Sequence, residues 1–323
     1  MYSLGVDIGG TKCAVVLGKG ELSGSLNDFI IEKQQFPTSV ERGYEKIIAE
    51  ITEKIVMLLN KHEISTSELI GIGISCGGPL NSKAGTINCP PNLPDWDNVP
   101  IVKIFSERFN TRVVLHNDAN ACAVAEWRFG AGRGAENMVF LTFGTGMGAG
   151  LILNGKLYSG TNDLAGEVGH IRLAKAGPVG YGKPGSFEGF CSGGGIKNLA
   201  ILIAKDYLKL GKTSSLFKTE ADLEKLNAKN IAAAMYEKDE FALEVYNKCA
   251  VYLGRGLSLI IDILNPEKIV IGSIYERNQD FFLPKITEVI KAEALKESAA
   301  ACKIVPAELG DSIGDYAALG ILF

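Results

Sequence analysis

DIGGTKCAVVL, the stretch from Asp7 to Leu17, has a counterpart in FGTGMGAGLIL, the stretch from Phe143 to Leu153. Each places a glycine turn between two short runs of residues typical of β-strands, and each leaves the turn on an apolar run. A weak internal repeat of this kind indicates two related lobes. The length of 323 residues also favours two domains over a single core.

The residues around the first stretch predict a sheet covered by helices. A further turn at Gly18 to Gly20 precedes a third strand-like run, which predicts an antiparallel meander. From Tyr44 to Leu59, apolar residues recur at steps of three and four, so a helix is expected to cover one sheet face. Later patterns alternate between strand (69–74, 112–115, 138–143 and 268–271) and helix (241–264 and 279–292). The pattern predicts an α/β protein with mixed sheets.

Composition excludes several classes of partner. The net charge is −4 and the basic residues are scattered, so no stripe is available for nucleic acid. The longest apolar segment, 251–264, is broken by Arg255 and Asp262 and is too short to cross a membrane. The N-terminus lacks the pattern of a secretory leader. Seven cysteines without CxxC spacing predict reduced, mostly buried thiols, and we expect a cytoplasmic protein.

The two glycine turns are candidate phosphate-binding loops. Backbone N–H groups can converge on an anion where glycine permits unusual dihedral angles and close approach. Both Gly9-Gly10 and Gly144-Thr145-Gly146 fit this description. Either loop alone is equally well explained as an ordinary tight hairpin. Two equivalent loops in two lobes favour phosphate binding.

Two other nucleotide motifs are excluded by their context. The residues from Gly144 to Ala149 match the dinucleotide pattern, but that pattern must open a helix and here a hairpin is predicted. GLILNGK, from Gly150 to Lys156, resembles a P-loop, yet Leu157 stands where the magnesium-binding Ser or Thr belongs. A nucleotide clamped between two hairpins remains, as in actin-like ATPases and sugar kinases. Asp7 would then hold Mg²⁺, directly or through water.

Asp118 lies where a strand gives way to an alanine-rich helix that ends at Gly130. Asn117 or Asp118 could simply cap this helix, and these residues alone favour that interpretation. A carboxylate in a cleft could also take the proton from a sugar hydroxyl as that hydroxyl attacks the γ-phosphate of ATP. The two roles are compatible.

Sugar recognition requires several fixed polar groups around a ring. Glu167, His170 and Glu188 could supply them. Glu167 and His170 belong to GTNDLAGEVGH, which is too rich in glycine for a regular helix, and polar groups on such loops often face only water.

Together these segments resemble the ROK family of sugar kinases and sugar-responsive repressors. The matching motifs are VDIGGTK (6–12), NDANA (117–121), FGTGMGAG (143–150) and AGEVGH (165–170), with weaker echoes in GGP (77–79), PNLPDW (91–96), NPEKIVIG (265–272) and ALG (318–320). The resemblance implies two actin-like, ribonuclease H-like lobes with a central cleft. The N-terminal lobe would be residues 1–117 joined by 305–323, and the C-terminal lobe 118–304.

The resemblance also implies a role for each motif, with ATP and Mg²⁺ as cofactors and a homodimer as the assembly. Asp118 would be the catalytic base. The sugar would be held by Asn117, Glu167, His170 and Glu188, with Gly78 and Asn92 as further contacts. ATP would be bound by Asp7, Gly9, Gly10, Thr11, Lys12, Gly144, Thr145 and Gly146. Gly272 would lie in the adenosine region, although Ser273-Ile274 follow it in place of the family's further glycines.

The main departure from the family follows His170. Many members carry CxCGxxGCxE there and bind structural zinc through that histidine and three thiolates. Aligned on Glu188, the three positions hold Val179, Tyr181 and Ser186. Because zinc needs four suitable ligands, we predict no structural zinc. Packing of Tyr181 and Phe187 is the hypothesis for what replaces the metal.

The expected function is therefore ATP-dependent phosphorylation of a free hexose or N-acylhexosamine, with the 6-hydroxyl as the expected acceptor. Family repressors place a DNA-binding domain ahead of the first glycine loop, whereas this chain reaches that loop at Gly9. A non-catalytic sugar- and nucleotide-binding sensor is the alternative, because a fold alone does not establish chemistry. A nicotinamide dehydrogenase is the third interpretation, supported only by the glycine pattern at Gly144.

Overall fold

The computed structural model describes residues 1–20 and 29–323 and has a mixed α/β architecture. Its strands are β1 Tyr2–Ile8, β2 Lys12–Lys19, β3 Ile30–Pro37, β4 Leu69–Cys76, β5 Leu80–Asn81, β6 Thr86–Ile87, β7 Val113–Asn117, β8 Met138–Phe143, β9 Met147–Leu153, β10 Lys156–Tyr158, β11 Val179–Gly180, β12 Lys183–Pro184, β13 Lys268–Ile271 and β14 Lys303–Pro306. Its helices are α1 Tyr44–Lys61, α2 Ile101–Phe109, α3 Asp118–Phe129, α4 Phe187–Phe190, α5 Gly193–Lys209, α6 Ala228–Tyr236, α7 Glu240–Leu264, α8 Ile274–Arg277, α9 Gln279–Glu293, α10 Lys296–Ala301 and α11 Ile313–Gly320.

The first compact unit comprises residues 1–134, 150–165 and 308–323. Its five-stranded sheet has the order β3-β2-β1-β4-β7. Strands β1, β2 and β3 pair antiparallel, which confirms the predicted meander, and β4 and β7 are added in parallel. Strand β2 runs through Gly18 to Lys19, so the chain does not turn at Gly18 as predicted, and the residues that follow Gly20 lie outside the described part.

Helices cover this sheet as the apolar patterns predict. Helix α1 buries six aliphatic side chains at helical spacing: Ile47, Ile48, Ile51, Ile55, Leu58 and Leu59. Helix α11 lies directly on β1 and β4, because Gly5 and Gly73 leave room for its backbone. A Cβ at Gly73 would stand only 1.9 Å from the carbonyl oxygen of Ala318. These glycines therefore allow a close helix–sheet contact.

The second unit comprises residues 135–149 and 166–307. Strands β8, β13 and β14 form a parallel sheet with β13 in the middle. Strand β9 begins beside β8 in this unit and then enters the first unit, where its last residues pair antiparallel with β10. Listed from β10 to β14, this strand order has the same plan as the first sheet, hairpin strands followed by parallel strands. The internal repeat predicted from the two glycine stretches is therefore reflected in the topology.

The long predicted elements are confirmed. Helix α7 spans Glu240–Leu264 and ends at Asn265, which adopts a left-handed conformation before Pro266. Residues 193–236, for which no element was predicted, contain helices α5 and α6. Helix α3 is grouped with the first unit by its contacts; the lobe boundary after residue 117 and the cleft stay predictions. Within the described residues, the protein has no helix long and apolar enough to span a bilayer.

All seven cysteines are free. Four of them, Cys13, Cys76, Cys191 and Cys249, are buried, and Cys89 is exposed. Burial raises the pKa of Cys76 and Cys191 well above the ordinary thiol value, so these groups stay protonated at neutral pH. The prediction that most of the thiols are buried is confirmed, and their reduced state stays a prediction.

Candidate active site

Asn117 and Asp118 divide two tasks at the junction of β7 and α3. Asn117 is the N-cap: its side-chain oxygen accepts hydrogen bonds from the backbone N–H groups of Ala119 at 2.9 Å and Asn120 at 3.4 Å. Asp118 is the first helical residue, and its Oδ1 also accepts from the N–H of Ala119, at 2.8 Å. Because Asn117 supplies the cap, Asp118 is available for another role.

The carboxyl of Asp118 is both accessible and poorly hydrated. The residue keeps exposed surface, so a substrate hydroxyl can reach it. The surrounding protein nevertheless withdraws water, and this burial raises its pKa above the ordinary aspartate value, although the N–H of Ala119 opposes the shift. Its Oδ2 lies beside Gly77, where an added Cβ would still be 4.0 Å away. Asp118 therefore has the access and the raised basicity expected of a general base.

Asp7, at the end of β1, is half-buried. Burial raises its pKa to about 7, and the charges of Asp118 and Asp315 add to the shift, while Lys12 and Lys33 oppose it. A divalent cation at this carboxyl would offset the crowding of negative charge. Magnesium usually binds one or two carboxylates together with substrate phosphates, so the residues fit such an ion. Within the described residues, Asp7 and its neighbours included, no group of three or more acidic, histidine or cysteine side chains is arranged as a metal site.

The first glycine loop joins β1 to β2. The N–H of Gly9 donates to the carbonyl of Lys12 at 3.1 Å, and the hydroxyl of Thr38 donates to the carbonyl of Gly9 at 2.5 Å. Gly10 lies against Asn92: a Cβ at Gly10 would be 2.6 Å from the Cβ of Asn92 and 2.7 Å from its carbonyl oxygen. Thr11 and Lys12 are exposed. Asn92, a predicted sugar contact, therefore lies against Gly10 of the predicted phosphate loop.

Gly78 is a second neighbour of the Asn117 site. Strand β4 pairs with β7 so that Cys76 is opposite Asn117, and Gly77 and Gly78 follow directly. A Cβ at Gly78 would stand 3.2 Å from the side-chain nitrogen of Asn117. The first unit therefore gathers its predicted residues at one end of its sheet, where β1, β4 and β7 end.

The second glycine loop joins β8 to β9. The N–H of Gly144 donates to the carbonyl of Gly146 at 3.2 Å, and the N–H of Gly193 donates to the carbonyl of Gly144 at 2.8 Å. A strand rather than a helix follows the loop, which confirms that this glycine pattern is not a dinucleotide motif. Ser273 is also adjacent, since a Cβ at Gly144 would be 3.6 Å from its hydroxyl. Ser273, which follows Gly272, therefore lies beside the second glycine loop.

The start of α5 was missed by the sequence reasoning. Its N-cap is Ser192, whose hydroxyl accepts from the N–H of Gly195 at 2.8 Å, and three glycines, 193–195, form its first turn. This helix start lies against Gly144. The partial positive charge of the helix N-terminus therefore favours an anion in the region of the glycine loop. The signal was available: SGGG ahead of apolar residues at helical spacing is a helix N-terminus.

Glu188 and the loop 166–170 surround the second glycine loop. Glu188 Oε2 accepts a hydrogen bond from the N–H of Met147 at 3.1 Å. The carbonyl of Gly166 accepts from the N–H of Ala149 at 2.8 Å, and a Cβ at Gly169 would be 3.3 Å from the Cβ of Glu188. Residues 168–170 form a single 3-10 turn, as the glycine content of this loop predicts.

Glu167 is exposed at the start of that turn, and His170 is half-buried at its end. The predicted sugar contacts Glu167, His170 and Glu188 therefore lie close together within the second unit.

The second unit contains a cavity of about 450 Å³, and part of its lining comes from residues that follow Gly272 in the sequence. It is lined by Ala228, Lys229, Ala232, Tyr246, Ile274, Arg277 and Asn278. Its mixed apolar and basic lining is suited to a nucleoside carrying phosphate.

The three positions that the sequence resemblance aligned with zinc ligands, and Phe187 beside them, make other contacts here. Val179 is half exposed, and the hydroxyl of Ser186 accepts from the N–H of Gly189 and so caps α4. Phe187 is fully buried against Gly256. Tyr181 is 65% exposed, and its ring meets the ring of His170. Phe187 is therefore packed in the interior and Tyr181 makes a surface contact, while their replacement of a metal stays a hypothesis.

The fold and these side chains define an actin-like α/β protein with two glycine loops suited to phosphate. The chain belongs to the ROK family, whose model matches residues 3–321. It is 35% identical over 326 residues to a glucokinase from Halalkalibacterium halodurans, a match that covers 97% of this chain and 92% of that protein.

A solved structure and a repressor extend this comparison. The structure is similar to that of a ROK family glucokinase from Streptomyces griseus in complex with glucose and AMPPNP, with a TM-score of 0.74, 26% identity and 99% of both chains covered. The chain is also 28% identical over 309 residues to a xylose repressor from Caldicellulosiruptor bescii, covering 95% of this chain and 74% of that protein. The family therefore includes both kinases and regulators.

Proposed function

We propose that this ATP-dependent sugar kinase phosphorylates the 6-hydroxyl of a free hexose or N-acylhexosamine, with Asp118 as the general base. One observation carries the assignment of the base: Asn117 caps α3, which leaves the accessible carboxyl of Asp118 with a raised pKa at the helix start. The glucokinase relatives support the choice of a hexose.

In the proposed reaction, Asp118 accepts the proton of the sugar hydroxyl. The sugar oxygen then forms a bond to the γ-phosphorus of ATP, the bond to the β,γ-bridging oxygen breaks, and ADP leaves. General-base catalysis of this kind contributes about 10²–10⁴-fold. Asp7 would hold Mg²⁺, which when bound neutralises charge on the phosphates.

Each unit contains candidate sugar contacts. In the first unit, Asn117, Gly78 and Asn92 are the candidates, and the proximity of Gly78 to Asn117 supports the pair. In the second unit, Glu167, His170 and Glu188 are grouped around the start of β9. Several fixed acceptors and donors are what discrimination between hydroxyl positions requires.

ATP is assigned to the glycine loops and to the cavity after Gly272. The phosphates would meet the loops at Gly9-Gly10 and Gly144 to Gly146, with Thr11, Lys12 and Thr145 in the same segments. The nucleoside would occupy the cavity lined by Lys229 and Arg277. We further propose that the enzyme is cytoplasmic and that it forms a homodimer. Light scattering of the purified protein would test the homodimer.

The decisive experiment is a panel of free sugars incubated with ATP and Mg²⁺, read by ADP production. Asp118→Asn should reduce turnover by orders of magnitude while sugar binding, measured by calorimetry, largely persists. Asp97→Asn, at an exposed loop position, is the matched control and should behave like the wild type. Unchanged turnover in Asp118→Asn would contradict the base assignment, and sugar binding without any ADP release would favour the sensor.

A further inference from the structure

Tyr181 occupies a backbone conformation that a tyrosine rarely adopts. Strands β11 and β12 are joined by the two residues Tyr181 and Gly182, with φ of 47° and 74°. Two positive φ values are what a type I′ hairpin turn requires, and Asn, Asp or Gly normally supplies them. A bulky, 65% exposed aromatic residue at this turn is strained and gains little from burial. Such an outlier points to a function.

The ring of Tyr181 packs on the ring of His170. The two centroids are 4.7 Å apart and the planes are inclined by 67°, an edge-to-face arrangement. The same hairpin also reaches the backbone of His170, because Lys183 Nζ donates a hydrogen bond to its carbonyl oxygen at 2.7 Å. The imidazole and the main chain of His170 are therefore both held by β11–β12.

The hairpin is itself fixed to the helix that carries Glu188. The hydroxyl of Ser186, the N-cap of α4, donates to the carbonyl of Gly180 at 3.2 Å. A Cβ at Gly180 would be 2.4 Å from the backbone nitrogen of Gly189, so the two backbones are in direct contact. A continuous set of contacts thus links His170 to the helix that carries Glu188.

We propose that Tyr181 and Lys183 are positioning residues for His170. Tyr181 orients the imidazole and Lys183 fixes the turn that ends at His170. The inference rests on the proposed role of His170 in sugar binding, since the consequence of losing either residue is a misplaced sugar contact.

Tyr181→Asn tests this without weakening the turn, because Asn is well tolerated at left-handed positions. We expect its melting temperature to equal or exceed that of the wild type, the KM for the sugar to rise roughly tenfold, and kcat and the KM for ATP to change less than twofold. Tyr181→Phe keeps the ring and should restore the wild-type KM. A Tyr181→Asn variant with the wild-type sugar KM would overturn the inference.

A second measurement does not depend on turnover. The chain has only three histidines, so the imidazole resonances of His170 can be assigned by comparison with His170→Gln. Tyr181→Asn should shift these resonances by removing the ring current, and Tyr181→Phe should not. Lys183→Met should broaden or shift them, and Lys183→Arg should do so less. Resonances that stay in place in Tyr181→Asn would refute the contact, whereas a clear shift in a protein that phosphorylates no sugar would contradict the proposed function instead.

Discussion

Glu188 Oε2 lies 3.1 Å from the backbone nitrogen of Met147 and so stands over the glycine loop that precedes it. A residue predicted to bind sugar and a loop predicted to bind phosphate are thereby joined by a hydrogen bond. A Cβ at Gly146 would be 2.9 Å from the same carboxylate oxygen, so a larger residue there would force the end of the Glu188 side chain to shift.

Gly146→Ala should therefore weaken sugar binding by pushing Glu188 out of place. We expect the sugar Kd, measured by calorimetry without nucleotide, to rise roughly tenfold, since small displacements of a binding group are costly. Gly144→Ala is the matched control in the same loop, because its Cβ would meet only the hydroxyl of Ser273, at 3.6 Å. Equal sugar affinity in the two variants would contradict this account.

The pH dependence of turnover should report Asp118. A general base acts only when ionised, so kcat with saturating MgATP should fall as the pH drops through its pKa. Burial raises that pKa, so the acid limb should lie above the range of an ordinary aspartate, about 3.9. The residual activity of Asp118→Asn should lack this limb. An acid limb at or below pH 4 in the wild type would show that another group limits the rate.

Glu126 should be a major stabilising group. Its fully buried carboxylate accepts hydrogen bonds from the N–H groups of Ala131 at 2.8 Å, Glu308 at 3.0 Å and Leu309 at 2.9 Å. Glu126→Gln should lower the free energy of unfolding by about 2 kcal/mol, since the amide cannot accept all three bonds. Glu107→Gln, whose side chain is 69% exposed, should be nearly neutral in the same urea titration.

The stability difference between wild type and Glu126→Gln should also depend on pH. Burial raises the pKa of Glu126, so the folded protein holds this proton more tightly than the unfolded chain. The wild type therefore gains stability relative to the variant as the pH falls through that raised pKa, and the difference should widen as the pH approaches the ordinary glutamate pKa of about 4.3. A difference that narrows towards acid would show that the folded-state pKa is not raised.

Gly10→Ala should disturb the first phosphate loop. Its Cβ would overlap both the side chain and the backbone carbonyl of Asn92, so the loop must move, at a cost of about 1–3 kcal/mol. We expect a lower melting temperature and a higher KM for ATP. Asn92→Gly in the same chain should fail to restore either, because the carbonyl oxygen remains; full rescue would place the conflict in the side chain alone.

Metal analysis tests the prediction that this protein binds no structural zinc. Protein purified without added metal should contain far less than one zinc per chain, because Val179, Tyr181 and Ser186 supply no thiolate. A zinc-selective chelator should leave the melting temperature unchanged. About one zinc per chain would refute the prediction.

Local sequence patterns were sufficient for much of the fold. Helical spacing located α1 and α7, and the glycine turns located both hairpins. Helices α5 and α6 were not predicted, although Ser192 and the glycines after it mark the start of α5, and both helices pack their apolar faces against α7. Propensity alone gives little information where tertiary packing selects the helix.

For the site, the sequence determined which chemical groups are present: the carboxyl of Asp118, the two glycine loops and the polar loop with Glu167 and His170. It left open whether Asp118 caps the helix or acts as the base, since an aspartate at a helix start can do either. The tertiary structure decided that Asn117 makes the cap, that Glu188 lies over Gly146 and that Tyr181 packs on His170. These relations depend on burial and contact between segments distant in the chain, and because the free energy of a charged or aromatic group is set by its neighbours in space, neighbours in sequence could not supply them.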